Sequence, residues 1–256
     1  MTAIALDQTA TQDRSRSLGQ RILAVVRLHF VNPTAILWLP LMILGIIFGA
    51  NWILWWLIHE FSGGKDLTEG TQWSGASAFI FVYMMVVAIQ AMHLTFQYAL
   101  GMGATRRDYY LGSALTFVLL GAGWAALIGT LGVLEELTGG WGLNGRMFTS
   151  VYFGADGAAV RYWYVFLLFL LFLFLGALSG ALFVRWKALG VTALWVGLGL
   201  LLVAGLAVVI MTNAWGAIGG FLGTIGTGGA YALTLVGSAL AGIGGFLVLR
   251  RATPRA

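Results

Sequence analysis

Cysteine is absent, so the chain has no disulfide framework, no thiol nucleophile and no thiolate metal site. Histidine is scarce. Its three copies, His29, His59 and His93, stand too far apart to suggest metal ligation, and no metal site is expected. Charge is the next shortage: Asp, Glu, Lys and Arg make up 9% of the residues, against about 25% in a soluble domain. Residues 70–105, 109–134 and 188–249 contain none of the four. A proton- or ion-coupled carrier would need ionisable groups inside such runs, which weakens that class. No Ser/His/Asp set and no paired carboxylates at one depth occur, so an intramembrane enzyme is not expected. A Walker A loop is missing as well. Gly64-Lys65 runs into Asp66 without the phosphate-cradling spacing, and no polar segment has the size of an ATPase domain.

What fills the chain is apolar, 60% of its 256 residues. That composition points to an all-α integral membrane protein. The formal charge of +5 is spread by topology and does not imply nucleic-acid binding. Residues 1–13 are expected to be a disordered tail without the apolar core of a signal peptide. Over 14–31, Leu18, Ile22, Val25, Val26 and His29 share one helical face, with Arg16, Gln20 and Arg27 opposite. This predicts an amphipathic helix lying in the membrane interface, or more simply a basic juxtamembrane tail. Asn32-Pro33 ends it, because proline disfavours helix at the preceding residue.

One crossing takes about 20 residues. The apolar runs then predict spans over roughly Thr34 to Ile58, Ser74 to Leu100, Tyr109 to Leu134 and Tyr162 to Val184. Trp52, Trp55 and Trp56 mark the far headgroup level of the first. The 62-residue run 188–249 is too long for one span and has basic residues on both flanks, which favours two crossings, about 189–211 and 231–249. The surplus, 212–229, holds seven glycines, with Gly220, Gly223, Gly226 and Gly229 at three-residue spacing. It predicts a re-entrant segment between spans 5 and 6, tolerated at membrane depth when buried in protein. The expected layout is a six-span domain over 34–249 and a basic tail over 250–256. With both termini cytoplasmic, eleven Lys and Arg fall inside and only Lys65, Arg146 and Arg161 outside, a strong positive-inside bias. Gly176/Gly180 and Gly237/Ala241/Gly245 form small-xxx-small seams, suited to packing within the chain or to a homodimer.

Two stretches stand out chemically. Tyr83, Gln90, His93 and Gln97 fall on one side of span 2. They suit the wall of a translocation path, or ordinary interhelical hydrogen bonding worth about 0.6 kcal/mol on average. The other is Leu100-Gly-Met-Gly-Ala-Thr-Arg-Arg-Asp-Tyr-Tyr-Leu-Gly112, a charged knot between two apolar runs. Gly101 and Gly103 can end one helix. Thr105 with Asp108 reads as a capping box opening the next. Taken alone, the knot is also compatible with a plain topogenic turn.

The order of parts resembles the permease subunit of ABC-2 type (export-type) ABC transporters. The likeness rests on the basic amphipathic helix running into Leu28-His-Phe-Val-Asn-Pro33, on span 2 leading into 99–112, and on the glycine-rich insertion before span 6. It implies that Thr105, Arg106, Arg107, Asp108 and Tyr109 contact a separate ABC ATPase, and that the glycine-rich segment lies near the external gate. ATP and Mg would then bind on that partner, with no cofactor in this chain. The resemblance further implies a second permease subunit, identical or homologous, surrounding membrane lipids, and a bacterial plasma membrane. The expected activity is ATP-driven export of a lipophilic or amphipathic compound such as a drug, peptide or lipid. A secondary carrier or channel, and a non-transporting assembly or regulatory subunit, remain the alternatives.

Overall fold

The computed structural model describes residues 17–61, 68–71, 73–153 and 157–252. The 1–13 tail, Arg14, Arg16, Lys65 and Arg255 lie outside the described residues, and with them the expectations attached to them. Among the described residues every regular element is helical. Five helices are long and apolar enough to cross a membrane, as a multi-pass membrane protein requires.

Helix α1, Leu18–His29, opens on a reciprocal capping box. Ser17 Oγ accepts from the Gln20 amide (3.4 Å), and Gln20 Oε1 accepts from the Ser17 amide (3.1 Å). It stops just before Asn32-Pro33; of the five residues on the expected apolar face Val25, Val26 and His29 are buried, Ile22 is half-buried and Leu18 is exposed. Helix α2, Thr34–Phe61, begins with a π-wound turn over Thr34–Trp38. Pro40 explains the widening, since it has no N–H to offer the carbonyl four residues back. Of the three tryptophans near its end, Trp52 and Trp56 are exposed. Trp55 is buried under the loop that holds Gly145, where a Cβ on that glycine would come within 2.2 Å of its ring.

Helix α3, Phe79–Gly101, contributes a continuous stripe to the core. Ile80, Met84, Ala88, Met92 and Phe96 recur every four residues and are wholly buried. Their stripe meets the helix that carries Gly176 and Gly180, where a Cβ on Gly176 would stand 2.4 Å from Met85 O and one on Gly180 2.6 Å from Met92 Cβ. The Gly176/Gly180 seam is thus consumed inside the chain. So is the second seam: Gly237 faces Leu171, and Gly245 faces Tyr110 and Leu178.

Helix α4, Arg106–Leu137, runs three residues beyond the expected span at each end. Its far end carries two acids with separate tasks. Glu136 pairs with the buried Arg161 of α5. Glu135 is buried and gathers the loop backbone, accepting from the amides of Met147 (3.0 Å), Phe148 (3.1 Å) and Thr149 (2.9 Å) and from Trp141 Nε1 (2.9 Å). The glycine-rich loop is therefore a packed cap, with Met147, Phe148 and Phe153 buried beneath it.

Helix α5, Ala158–Met211, has 54 residues. A straight helix of that length would reach about 80 Å, far beyond a hydrocarbon core of about 30 Å. It is broken at Lys187, whose backbone sits at φ 57°, ψ −147°. A Cβ on Gly190 would lie 3.0 Å from Leu182 O, although residues eight apart in a straight helix are about 12 Å apart along the axis. The chain folds back there. Asn213, at φ 50°, closes the second half, with the Ala214 amide reaching back to Val209 O (3.0 Å). Helix α6, Trp215–Arg250, breaks at Gly226 (φ 65°, ψ −178°). Its longer part begins at 227, four residues before the expected start of span 6, and its first part covers 215–225.

Candidate functional site at the basic turn

The turn between α3 and α4 is built from backbone first. Gly103 adopts φ 89°, and two bonds close the end of α3: Ala104 N–H to Ala99 O (3.0 Å) and Gly103 N–H to Leu100 O (3.0 Å). This is the paired 6→1 and 5→2 closure that a left-handed residue after a helix permits. Only one residue, Ala104, separates Gly103 from the cap of the next helix. Thr105 Oγ1 accepts from the Asp108 amide (3.1 Å). The expected capping box is half made, because the Asp108 carboxylate turns away to Arg21 Nε (3.5 Å).

That ion pair joins the turn to α1. The two helices also touch at Gly112, where a Cβ would stand 2.5 Å from Val25 Cβ and 3.0 Å from Ile22 O. His29 Nε2 bonds Ser113 Oγ (3.0 Å), and its ring lies edge-on to Tyr109 at 6.0 Å. Helix α1, the turn and the start of α4 are locked into one body. Between α1 and the turn lies a cavity of about 600 Å³ bordered by Arg21, Arg27, Leu28, Met102, Gly103 and Thr105.

The five residues of the knot divide by exposure. Thr105 and Arg107 are exposed and Arg106 is half-exposed, whereas Asp108 and Tyr109 are buried. Tyr109 OH donates to Ala91 O (3.0 Å) and lies 2.8 Å from Thr95 Oγ1. The first three reach the surface, and Asp108 and Tyr109 pack behind them. Arg106 Nη1 donates to Arg250 O (2.9 Å), bringing the end of α6 beside the knot. The exposed Arg107 also borders a groove between α4, α5 and α6.

The polar face of α3 is not one continuous cluster. Tyr83 donates to Ala35 O (2.9 Å) and so ties α3 to α2. His93 packs edge-on against Phe183 at 4.5 Å. Gln90 and Gln97 are exposed. Of the glycines near the end of the chain, Gly220 and Gly223 lie in the short helix 215–225 with open space around them. Gly226 forms the break, and Gly229 packs back onto Ile225.

Among the described residues no group of three His, Asp or Glu could hold a metal. Arg21, Ser113, Glu135 and Arg161 were not singled out from the sequence. For Glu135 and Arg161 a signal existed, an acidic pair and a lone arginine framing a glycine-rich loop. For Arg21 and Ser113 none did, since their partners are 87 and 84 positions away. Comparison with protein-family models, with curated proteins and with solved structures finds no match.

Proposed function

We propose that this chain is the permease subunit of an ABC-2 type exporter, moving a lipophilic or amphipathic compound with ATP hydrolysed by a separate subunit. The observation that carries this reading is the locked body of α1, the 101–106 turn and α4. A soluble motor can only tilt a membrane helix through a short, stiff connection. Here the connection is closed by two backbone bonds, capped by Thr105 and braced by the Arg21–Asp108 pair. Thr105, Arg106 and Arg107 would meet the ATPase, with Asp108 and Tyr109 holding them in place.

The proposed topology has six crossings, with α5 counted twice across Lys187, and both termini in the cytoplasm of a bacterial plasma membrane. Helix α1 lies in the inner interface. The 215–225 helix spans only about 16 Å at 1.5 Å per residue and serves as the re-entrant gate, turning at Gly226. Gln90 and Gln97 support a path beside α3. An unpaired amide group facing lipid costs several kcal/mol, so these two side chains call for water or a polar partner.

The test pairs a binding assay with a transport assay. The chain should co-purify in stoichiometric amount with a separate ATPase subunit, and vesicles holding both should move lipophilic dyes when ATP is supplied. Arg106→Ala with Arg107→Ala should leave expression intact and ATP hydrolysis running, while transport falls by about 5–150-fold, the range of typical coupling energies. Transport without any ATPase would favour a carrier or channel, and partner binding without transport an assembly subunit.

A further inference from the structure

Two arginine pairs from distant parts of the chain meet at one end of the bundle. Arg106 and Arg107 open α4, Arg250 and Arg251 follow at the end of α6, and the bond from Arg106 to Arg250 O joins them. Among the described residues none of the four has a carboxylate partner. The one acid near them in sequence, Asp108, is buried and taken by Arg21. A concentrated positive charge is left facing outward.

Beside this charge a groove of about 510 Å³ runs between α4, the first half of α5 and α6. Arg107 stands at its mouth as its one charged side chain, and Leu111, Leu170, Phe174, Leu235 and Phe246 line its walls. The hydroxyls within it are already engaged. Tyr110 donates to Gly242 O, and Ser238 to Thr234 O (2.8 Å). A ligand that fits must be anionic at one end and apolar along the rest. The length agrees. Leu235 to Phe246 covers about 16 Å of helix rise, close to one leaflet of a hydrocarbon core about 30 Å thick. Leu111, Leu235 and Ile243 are exposed along the groove, so it is open from the side, toward the bilayer.

We infer that this groove binds one anionic phospholipid from the leaflet at the basic end. Its phosphate lies on Arg107, within the field of Arg106, Arg250 and Arg251, and one acyl chain lies between α4, α5 and α6. A free phosphate would leave the apolar length of the groove unused. The site does not rest on the exporter reading, and its test needs neither ATPase nor transport.

The purified full chain in detergent, examined by native mass spectrometry, decides the matter with phosphatidylglycerol and phosphatidylcholine of identical acyl chains. The wild type should hold one phosphatidylglycerol in clear preference to phosphatidylcholine. Arg107→Gln should lower that preference by roughly fivefold, the share of one arginine at an anionic surface. Arg107→Lys should keep most of it, which separates loss of charge from loss of fold. Ala239→Trp, filling the groove, should release both lipids. Arg185→Gln, which removes a cation at the same end but outside the groove, should change nothing. Equal retention of the two lipids by the wild type would overturn the inference. So would an equal loss in Arg185→Gln and Arg107→Gln, a loss in Arg107→Lys as large as in Arg107→Gln, or undiminished binding in Ala239→Trp.

Discussion

His29 is the titrating side chain on which the docking of α1 turns. It is buried between α1 and α4, with Nε2 on Ser113 and no partner for Nδ1. Desolvation lowers its pKa from 6.5 to about 4. The folded chain therefore keeps the imidazole neutral, while an unfolded or undocked chain takes up a proton near pH 6.5. Stability is full above that value and falls as pH drops from 6.5 toward 4, by roughly 3 kcal/mol in all. The expected outcome is a melting temperature in detergent that declines between pH 6.5 and 4. His29→Leu should flatten the decline in that window, although it forfeits the bond to Ser113. A wild-type melting temperature that stays level across the window would show that the ring is already solvated. The apolar stripe gave the position of His29 on the buried face of α1. Its bond to Ser113 was illegible, because a contact across 84 residues leaves no periodic trace.

Elements show the same division between local and distant causes. The end of α3 at Gly101, the cap at Thr105 and the stop of α1 before Asn32-Pro33 are written in neighbouring residues, and all were readable. The break in α5 was readable too, because Arg185 and Lys187 interrupt two long apolar runs. What was hidden is its backbone. Lys187 occupies a region of φ and ψ used almost only by glycine, and in α6 glycine itself, Gly226, occupies that region. Open space surrounds the Cβ position of Gly226, so a methyl group there would meet no neighbour and its cost would be torsional alone. Gly226→Ala should therefore destabilise by about 1–3 kcal/mol, read as a lower melting temperature. It should also straighten the junction between 215–225 and 227–250, read as a changed distance between spin labels on the two pieces. An unshifted melting temperature would mean that the bend is not set by residue 226. The packing of the loop over α2 leaves no local trace for a related reason. Its order comes from one carboxylate, Glu135, reaching amides 12 to 14 positions further on.

At the scale of the whole molecule, two sets of glycines among the described residues contrast. Gly112, Gly129, Gly132, Gly176 and Gly180 stand where a Cβ would come within 3.0 Å of a neighbour, and each lets two elements approach. Gly197, Gly199, Gly205, Gly216, Gly219, Gly220 and Gly223 have nothing within 4 Å, and no residue from 191 to 228 is buried. Exposure of leucine to lipid carries little penalty, so bare apolar surface alone would prove nothing. Glycine is different. Each one in a helix costs about 1 kcal/mol relative to alanine, and these seven gain no close contact within the chain in return. Gly216/Gly220 and Gly219/Gly223 also repeat the small-xxx-small spacing through which membrane helices associate. The second subunit that the proposed exporter reading calls for would, seated on this region, supply the missing contacts. If that subunit is a copy of this chain, Gly220→Leu should lower the dimer fraction in detergent, measured by light scattering, while leaving the monomer's melting point nearly unchanged. Gly180→Leu should do the opposite, costing about 1–3 kcal/mol of fold through overpacking against α3. A Gly220→Leu chain that dimerises like the wild type would rule out this region as the dimer interface.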